Sequence, residues 1–235
     1  METSLDSQIY PAEVVFIRHG ESELNVRQAI AQANHEIEDV HSGRNIRDAD
    51  VELTDRGREQ AKKTGQALNE KFKPFNLAYV SPHRRTLDTF NIISSELEVE
   101  VDMRLEDRIR EKEFGVVGTY TMLGMKKHVP FEAKRLEMDG PYYFRPAGGE
   151  SYPDIGLRLH SFLHSLYAHQ AGKRILVVTH ADVILMIRKM LERLTEGELL
   201  NLDATNDVRN CGVTSFVYSA KANYLVLNEY NKIYY

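Results

Sequence analysis

Apolar residues fall along the chain in short runs that alternate with longer stretches of helical spacing. Val14 to Ile17 is a four-residue apolar run closed by Arg18, His19, Gly20 and Glu21. Its β-branched residues read as a buried strand, and the glycine stops it where a turn is needed. Ser22 to Val51 is polar and reads as a short helix followed by a loop around Gly43. Thr54 is expected to cap a helix that carries Ala61, Leu68 and Phe72 on one face and ends at Pro74. Asn76 to Val80 is a second strand, and Ser81-Pro82 is expected to open the next helix, serine as cap and proline in the first helical position. A third, more polar strand is expected at Glu98 to Val101, near a sheet edge.

Between residues 102 and 150 glycines and prolines divide short charged or aromatic pieces, with one helix expected across Met122 to Met138. This stretch reads as a helical and loop insertion over a site. Ser151 and Asp154 then form a capping-box pattern ahead of a stripe made by Ile155, Leu159, Phe162, Leu163 and Leu166, and Gly172 ends that helix. Arg174 to His180 repeats the opening pattern, an apolar strand ending in histidine, and Ala181 to Leu191 reads as a largely buried helix. Val213 to Tyr218 and Tyr224 to Leu227 suit a closing hairpin. Strands alternating with helices imply an α/β fold: a three-layer α/β/α sandwich with a mostly parallel sheet and an antiparallel edge. One domain is expected over 1–235, with residues 1–11 loose.

Composition narrows the function. The chain has 235 residues, is 42% hydrophobic and 28% charged, and carries a net charge of −5, which argues against a general nucleic-acid or anionic-membrane surface. Any bound anion must be held by a local cationic pocket. A single cysteine, Cys211, excludes an internal disulfide and a cysteine-based zinc site. Met1 to Pro11 lacks the pattern of a secretory signal and no apolar run is long enough to span a bilayer, so the cytoplasm is the expected location.

Two apolar strands that end in histidine are the informative rhyme. Arg18 and His19 alone are equally an ordinary strand end. If the two strands are parallel neighbours, however, His19 and His180 emerge side by side at the sheet edge where open α/β folds bind ligands. Arg18 shares that edge, and Arg85 sits at the start of a helix leaving it. Two arginines and two histidines suit the oxygens of a phosphate, and histidine is a competent phosphoryl acceptor. No GxxxxGK[ST] is present, which rejects a nucleotide-binding P-loop.

Arg18-His19-Gly20-Glu21-Ser22 with Asn25 resembles the signature of the histidine phosphatase superfamily, the phosphoglycerate-mutase-like phosphatases. Further blocks follow in that family's order: Leu53-Thr54 with Gly57 and Gln60-Ala61, Ser81 to Thr86 with Thr89, Arg110-Glu111 with Gly115, Gly148 to Ser151 with Asp154 and Arg158, Val177 to His180, and Asn210 to Thr214. The wording around Arg108 to Glu111 and Tyr143 to Pro146 is similar to the fungal and plant broad-specificity branch. Departures are Ala181 in place of glycine, Gly212 in place of serine or alanine, Thr86 in place of alanine, and the absence of tryptophan.

The resemblance implies a metal-independent phosphomonoester hydrolase acting through a phosphohistidine on His19. Arg18, Arg85 and His180 would bind the phosphoryl group and Glu111 would be the general acid and base. Gly20, Ser22, Asn25, Thr179 and Ala181 would contact phosphate or substrate, and Tyr143, Arg145 and Glu150 a substrate pocket. Alternatives stay open: a phosphoglycerate-mutase type of transfer, or a phospho-ligand binder without catalysis. Glu21 and Glu150 are each a second acid or a cap, and Tyr142 to Phe144 wall a pocket or close the core. The remaining histidines, including His35, His41 and His83, are expected at the surface. His160 and His164 lie four apart with no third metal ligand evident. No metal or cofactor is expected. The expected partner is a small phosphomonoester rather than nucleic acid or membrane, with a homodimer left open.

Overall fold

The computed structural model describes residues 9–40, 46–205 and 208–235; the expectations for residues 1–8, for Gly43 and for His41 lie outside these. Six strands form one sheet: β1 (Glu13–Arg18), β2 (Leu77–Val80), β3 (Met103–Leu105), β4 (Arg174–Thr179), β5 (Val213–Ser219) and β6 (Tyr224–Lys232). Their order is β3-β2-β4-β1-β5-β6. β3, β2, β4 and β1 run parallel, and β5 is antiparallel to both β1 and β6. The expected α/β architecture with an antiparallel edge is therefore present.

Alternation along the strands divides the core in two. Val14, Phe16, Ile175 and Val177 face α6 (Tyr152–His169) and α7 (Ala181–Glu192). Val15, Ile17, Leu176 and Val178 face α2 (Asp55–Lys71) and α3 (Arg84–Ser95). The caps read from sequence hold at two helices: Thr54 accepts from the Gly57 N–H, and Ser151 with Asp154 closes a complete capping box. The remaining helices are α1 (Glu23–Ala33), α4 (Met122–His128), α5 (Pro130–Tyr143, kinked at Gly140) and α8 (Glu196–Thr205). No helix among the described residues is long and apolar enough to cross a membrane.

Several expectations are corrected. The third strand is Met103–Leu105, not Glu98 to Val101; all three of its residues are exposed, so it has no hydrophobic pattern and is held by its ladder to β2. The helix expected across Met122 to Met138 is two, broken at Val129, whose φ/ψ is not helical, with Pro130 opening the second. α3 begins at Arg84 with His83 at its cap position, so Ser81 and Pro82 precede it. β6 extends to Lys232, beyond the expected Leu227.

Candidate active site

Register brings the two histidines together. Arg18 pairs with Thr179 across β1 and β4, so the next residues, His19 and His180, leave adjacent parallel strands at the same edge. Their ring centroids are 5.3 Å apart. β2 lies on the other side of β4, and its continuation places Ser81 and His83 against His180. Asn210, entering β5, donates to the His19 carbonyl at 3.1 Å and to Asn25 Oδ1 at 3.0 Å.

His19 is buried with Nδ1 2.7 Å from the Gly20 carbonyl oxygen. A carbonyl only accepts, so Nδ1 carries the proton and Nε2 keeps its lone pair. Arg85 Nε donates to that Nε2 at 3.2 Å. Burial, then the charges of Arg85 and Arg18, holds the His19 imidazole well below its ordinary range, so it is neutral at physiological pH. The same causes, burial first and Arg85 next, depress His180. Ser81 Oγ lies 2.7 Å and His83 Nδ1 3.1 Å from His180 Nε2. The other ring nitrogen, Nδ1, is buried without a hydrogen-bond partner and lies 3.6 Å from Glu111 Oε2. The Glu111 N–H donates to His83 Nδ1 at 3.5 Å, so that nitrogen is an acceptor and the single proton of neutral His180 sits on Nε2, leaving Nδ1 as an acceptor facing the Glu111 carboxyl.

Glu111 follows a single 3-10 turn, Asp107–Ile109, whose last carbonyl accepts from the Thr179 hydroxyl at 2.7 Å. Burial, with Asp182 adding to it, pushes the Glu111 carboxyl up to about 8, so it is a protonated acid at neutral pH. Glu111, His19, Arg18 and Arg85 line one cavity of about 420 Å³, with Asn25, Ser22 and Ala181 also on its wall. The arrangement combines a neutral nucleophile, two fixed cations and a proton donor. It suits taking an anionic group onto the nucleophile while the alcohol it was bonded to departs as an alkoxide and takes up the acid's proton.

The sequence pattern of the histidine phosphatase superfamily (branch 1) matches residues 14–231. The chain belongs to that superfamily. This histidine phosphatase relative is 28% identical over 240 residues to phosphoglycerate mutase-like protein 4 of Arabidopsis thaliana, covering 93% of this chain and 95% of that one. It is 30% identical over 199 residues to a 2,3-bisphosphoglycerate-dependent phosphoglycerate mutase of Rhizobium etli, covering 81% and 85% of the two chains. Its fold is similar to that of a putative alpha-ribazole-5'-P phosphatase from Escherichia coli, with a TM-score of 0.74 at 19% identity over 94% of this chain and 97% of that one.

Within this histidine phosphatase fold, the residues expected around phosphate divide by role. The Gly20 N–H donates to Thr89 Oγ1 at 3.0 Å and the Thr179 hydroxyl to a backbone carbonyl, so both hold the frame. Ser22 caps α1, with Asn25 completing its capping box. The three residues expected at a substrate pocket are not on the cavity wall. Tyr143 is exposed and donates to Glu196; Arg145 pairs with Asp154 at 3.3 Å. Glu150 accepts from Arg110 at 3.0 Å and Arg158 at 2.9 Å, which makes it a tie between segments rather than a second acid. Glu21 likewise accepts from Thr54 and Arg56. Among the described residues no group of three or more His, Cys, Asp or Glu could hold a metal ion.

Two residues that touch the site escape the sequence. His83, expected at the surface, is buried against His180, and burial with the Arg85 charge pushes its imidazole down to about 4. Its signal was its place just past a strand that pairs with β4. Asp48, in a 3-10 turn (Asp48–Asp50), accepts from both terminal nitrogens of Arg85, Oδ1 at 3.2 Å and Oδ2 at 2.9 Å. It is 37 residues from Arg85 in the chain, and no local pattern announces it.

Proposed function

We propose that this protein is a phosphomonoester hydrolase that works through a covalent phosphohistidine on His19 and needs no metal. The observation that carries the reading is the pinned tautomer of His19, Nδ1–H on the Gly20 carbonyl and the lone pair on Nε2, in a cavity shared with an acid that stays protonated to about pH 8. His19 Nε2 attacks phosphorus, the P–N bond forms as the P–O bond to the alcohol breaks, and Glu111 gives its proton to the departing oxygen. Arg18 and Arg85 stabilise the equatorial oxygens, with His180 beside them. The Glu111 carboxylate then takes a proton from water, the water oxygen attacks phosphorus, the P–N bond breaks, and inorganic phosphate leaves with His19 restored. The cytoplasm and small-molecule partners fit this activity.

A phosphoglycerate-mutase type of transfer is the second reading, supported by the similarity to the Rhizobium etli enzyme. It requires that the phosphohistidine outlive the departure of the first product. Release of phosphate from p-nitrophenyl phosphate in the presence of a chelator, with acid-labile phosphate trapped on the wild type and absent from His19→Ala, is the expected result. Absence of turnover over a broad ester panel from acidic to mildly basic pH removes the hydrolase reading. Activity that appears only with a bisphosphate primer favours the mutase.

A further inference from the structure

The cavity at His19 continues into a second, larger one of about 920 Å³, with Arg18, Gln28, Phe114, Gly118 and Asp203 on the wall of both. That volume is at the upper end of ordinary small-molecule sites and far exceeds a three-carbon acid. Its lining is unlike the phosphoryl end. Phe114, Val117, Tyr120, Met122 and Leu123 form an apolar wall from the 114–123 segment, opposite the amides of Gln28 and Gln32 on α1. Phe114 is 43% exposed, Met122 47% and Leu123 43%. Large apolar side chains left in water and gathered on one groove mark a binding surface rather than scattered exposure.

Charge along the two cavities separates substrate classes. Arg85 belongs to the phosphoryl end, and Arg18 stands where the two cavities meet. Of the other lysines and arginines lining either cavity among the described residues, Arg47 pairs with Asp50 at 2.7 Å and Lys112 lies 4.3 Å from the centre of the Tyr152 ring. Asp203 lines both cavities, and Asp48, Glu113 and Asp182 line the cavity at His19 through which the groove is reached. A ligand with a second phosphate or a carboxylate would bring its extra charge against these acids, and Arg47, the guanidinium among the described residues that lines the cavity apart from Arg18 and Arg85, is already paired with Asp50.

We infer that the substrate is the phosphomonoester of a bulky, uncharged, largely apolar alcohol whose body lies in this groove, and that esters with a second anionic group are selected against. The inference rests on the phosphohydrolase reading for its kinetic consequence, but the groove can be tested apart from turnover. In kinetics, kcat/KM for 1-naphthyl phosphate exceeds that for 3-phosphoglycerate by at least about tenfold, and Leu123→Asp lowers the ratio of 1-naphthyl phosphate to glycerol 1-phosphate turnover about tenfold. Leu123 is exposed enough that the substitution does not threaten folding; Phe114→Ser is the independent second variant. In calorimetric titration of His19→Ala, 1-naphthyl phosphate binds more tightly than 2,3-bisphosphoglycerate, and Leu123→Asp added to that background weakens only the aryl ester. If no ester is hydrolysed but this binding order holds, the hydrolase reading fails and the groove assignment stands. If the carboxylated or bisphosphorylated ligand is turned over or bound as well as the aryl ester, or neither variant moves the ratio, the groove assignment is overturned whatever the fate of the hydrolase reading.

Discussion

At the scale of single residues, the most consequential contact is the carboxylate of Asp48 on Arg85. Both terminal nitrogens of the buried guanidinium are engaged, in the bidentate geometry that arginine also offers to phosphate. Asp48 also lies 3.8 Å from His83 Nε2, so one acid faces two groups of the site. A phosphoryl dianion and this carboxylate compete for the same donors. Asp48→Asn removes the competing charge while keeping an acceptor, and it is expected to tighten inhibition by inorganic phosphate about three- to tenfold, a step of roughly one unit of charge pairing at a partly exposed site. Inhibition constants for phosphate measured on both proteins decide it. A weaker inhibition in Asp48→Asn would mean that the carboxylate holds Arg85 in its working position instead of occupying it.

At the scale of elements, the site depends on how closely two turns approach. A Cβ placed on Gly57, in the first turn of α2, would lie 2.0 Å from the Glu21 carbonyl oxygen, and one on Gly20 would lie 2.4 Å from the Gly57 carbonyl oxygen. Each glycine leaves room for the other's backbone, which is the physical content of the LTxxG block. Gly57→Ala is expected to cost about 1–3 kcal/mol, as overpacking does, and to lower kcat because the turn that bears His19 must shift. Urea melts alongside turnover numbers check both parts; a variant with full stability and full kcat refutes the role. Much at this scale was legible in advance. β1 and β4 announce themselves because fully buried parallel strands are continuous apolar runs, and the caps of α2 and α6 because a side chain bonding its own helix is a local event. What was not legible depends on tertiary contact. Ser81 looks like a helix cap but faces His180. β3 is held only by backbone pairing, and α8 followed no pattern that the spacing analysis recognised. The same division runs through the site: His19, His180, Arg85 and Glu111 stand in recognisable strings, whereas Asp48 and His83 gain their places only when distant turns meet.

At the scale of the whole molecule, the site is a stability liability that pH should reveal. Glu111 ionises near 4.5 in an open chain and near 8 in the native fold, with burial as the largest cause. Its native pKa is the higher one, so below 4.5 it is protonated in both states and contributes no difference. As pH rises from there toward 8, the unfolded chain gains the free energy of ionisation and the native state does not, so native stability falls through this window. Glu111→Gln cannot ionise and escapes the loss. Its melting temperature is expected to match the wild type near pH 4 and to exceed it by several degrees at pH 8, since about 1 kcal/mol corresponds to roughly 2–4 °C for a domain of this size. Catalysis should move the opposite way. Loss of the proton donor is expected to lower kcat about 10²- to 10⁴-fold, and an alkaline limb expected in wild-type kcat/KM near pH 8 should disappear with the group that causes it. Thermal melts across pH and a pH profile of residual activity test the pair. A melting difference that does not change between pH 4 and pH 8 would show that Glu111 is already ionised in the native protein, and the acid step would then need another donor. A difference that grows with pH, joined to lost activity, identifies a carboxyl kept protonated at the expense of the fold for the sake of the leaving group.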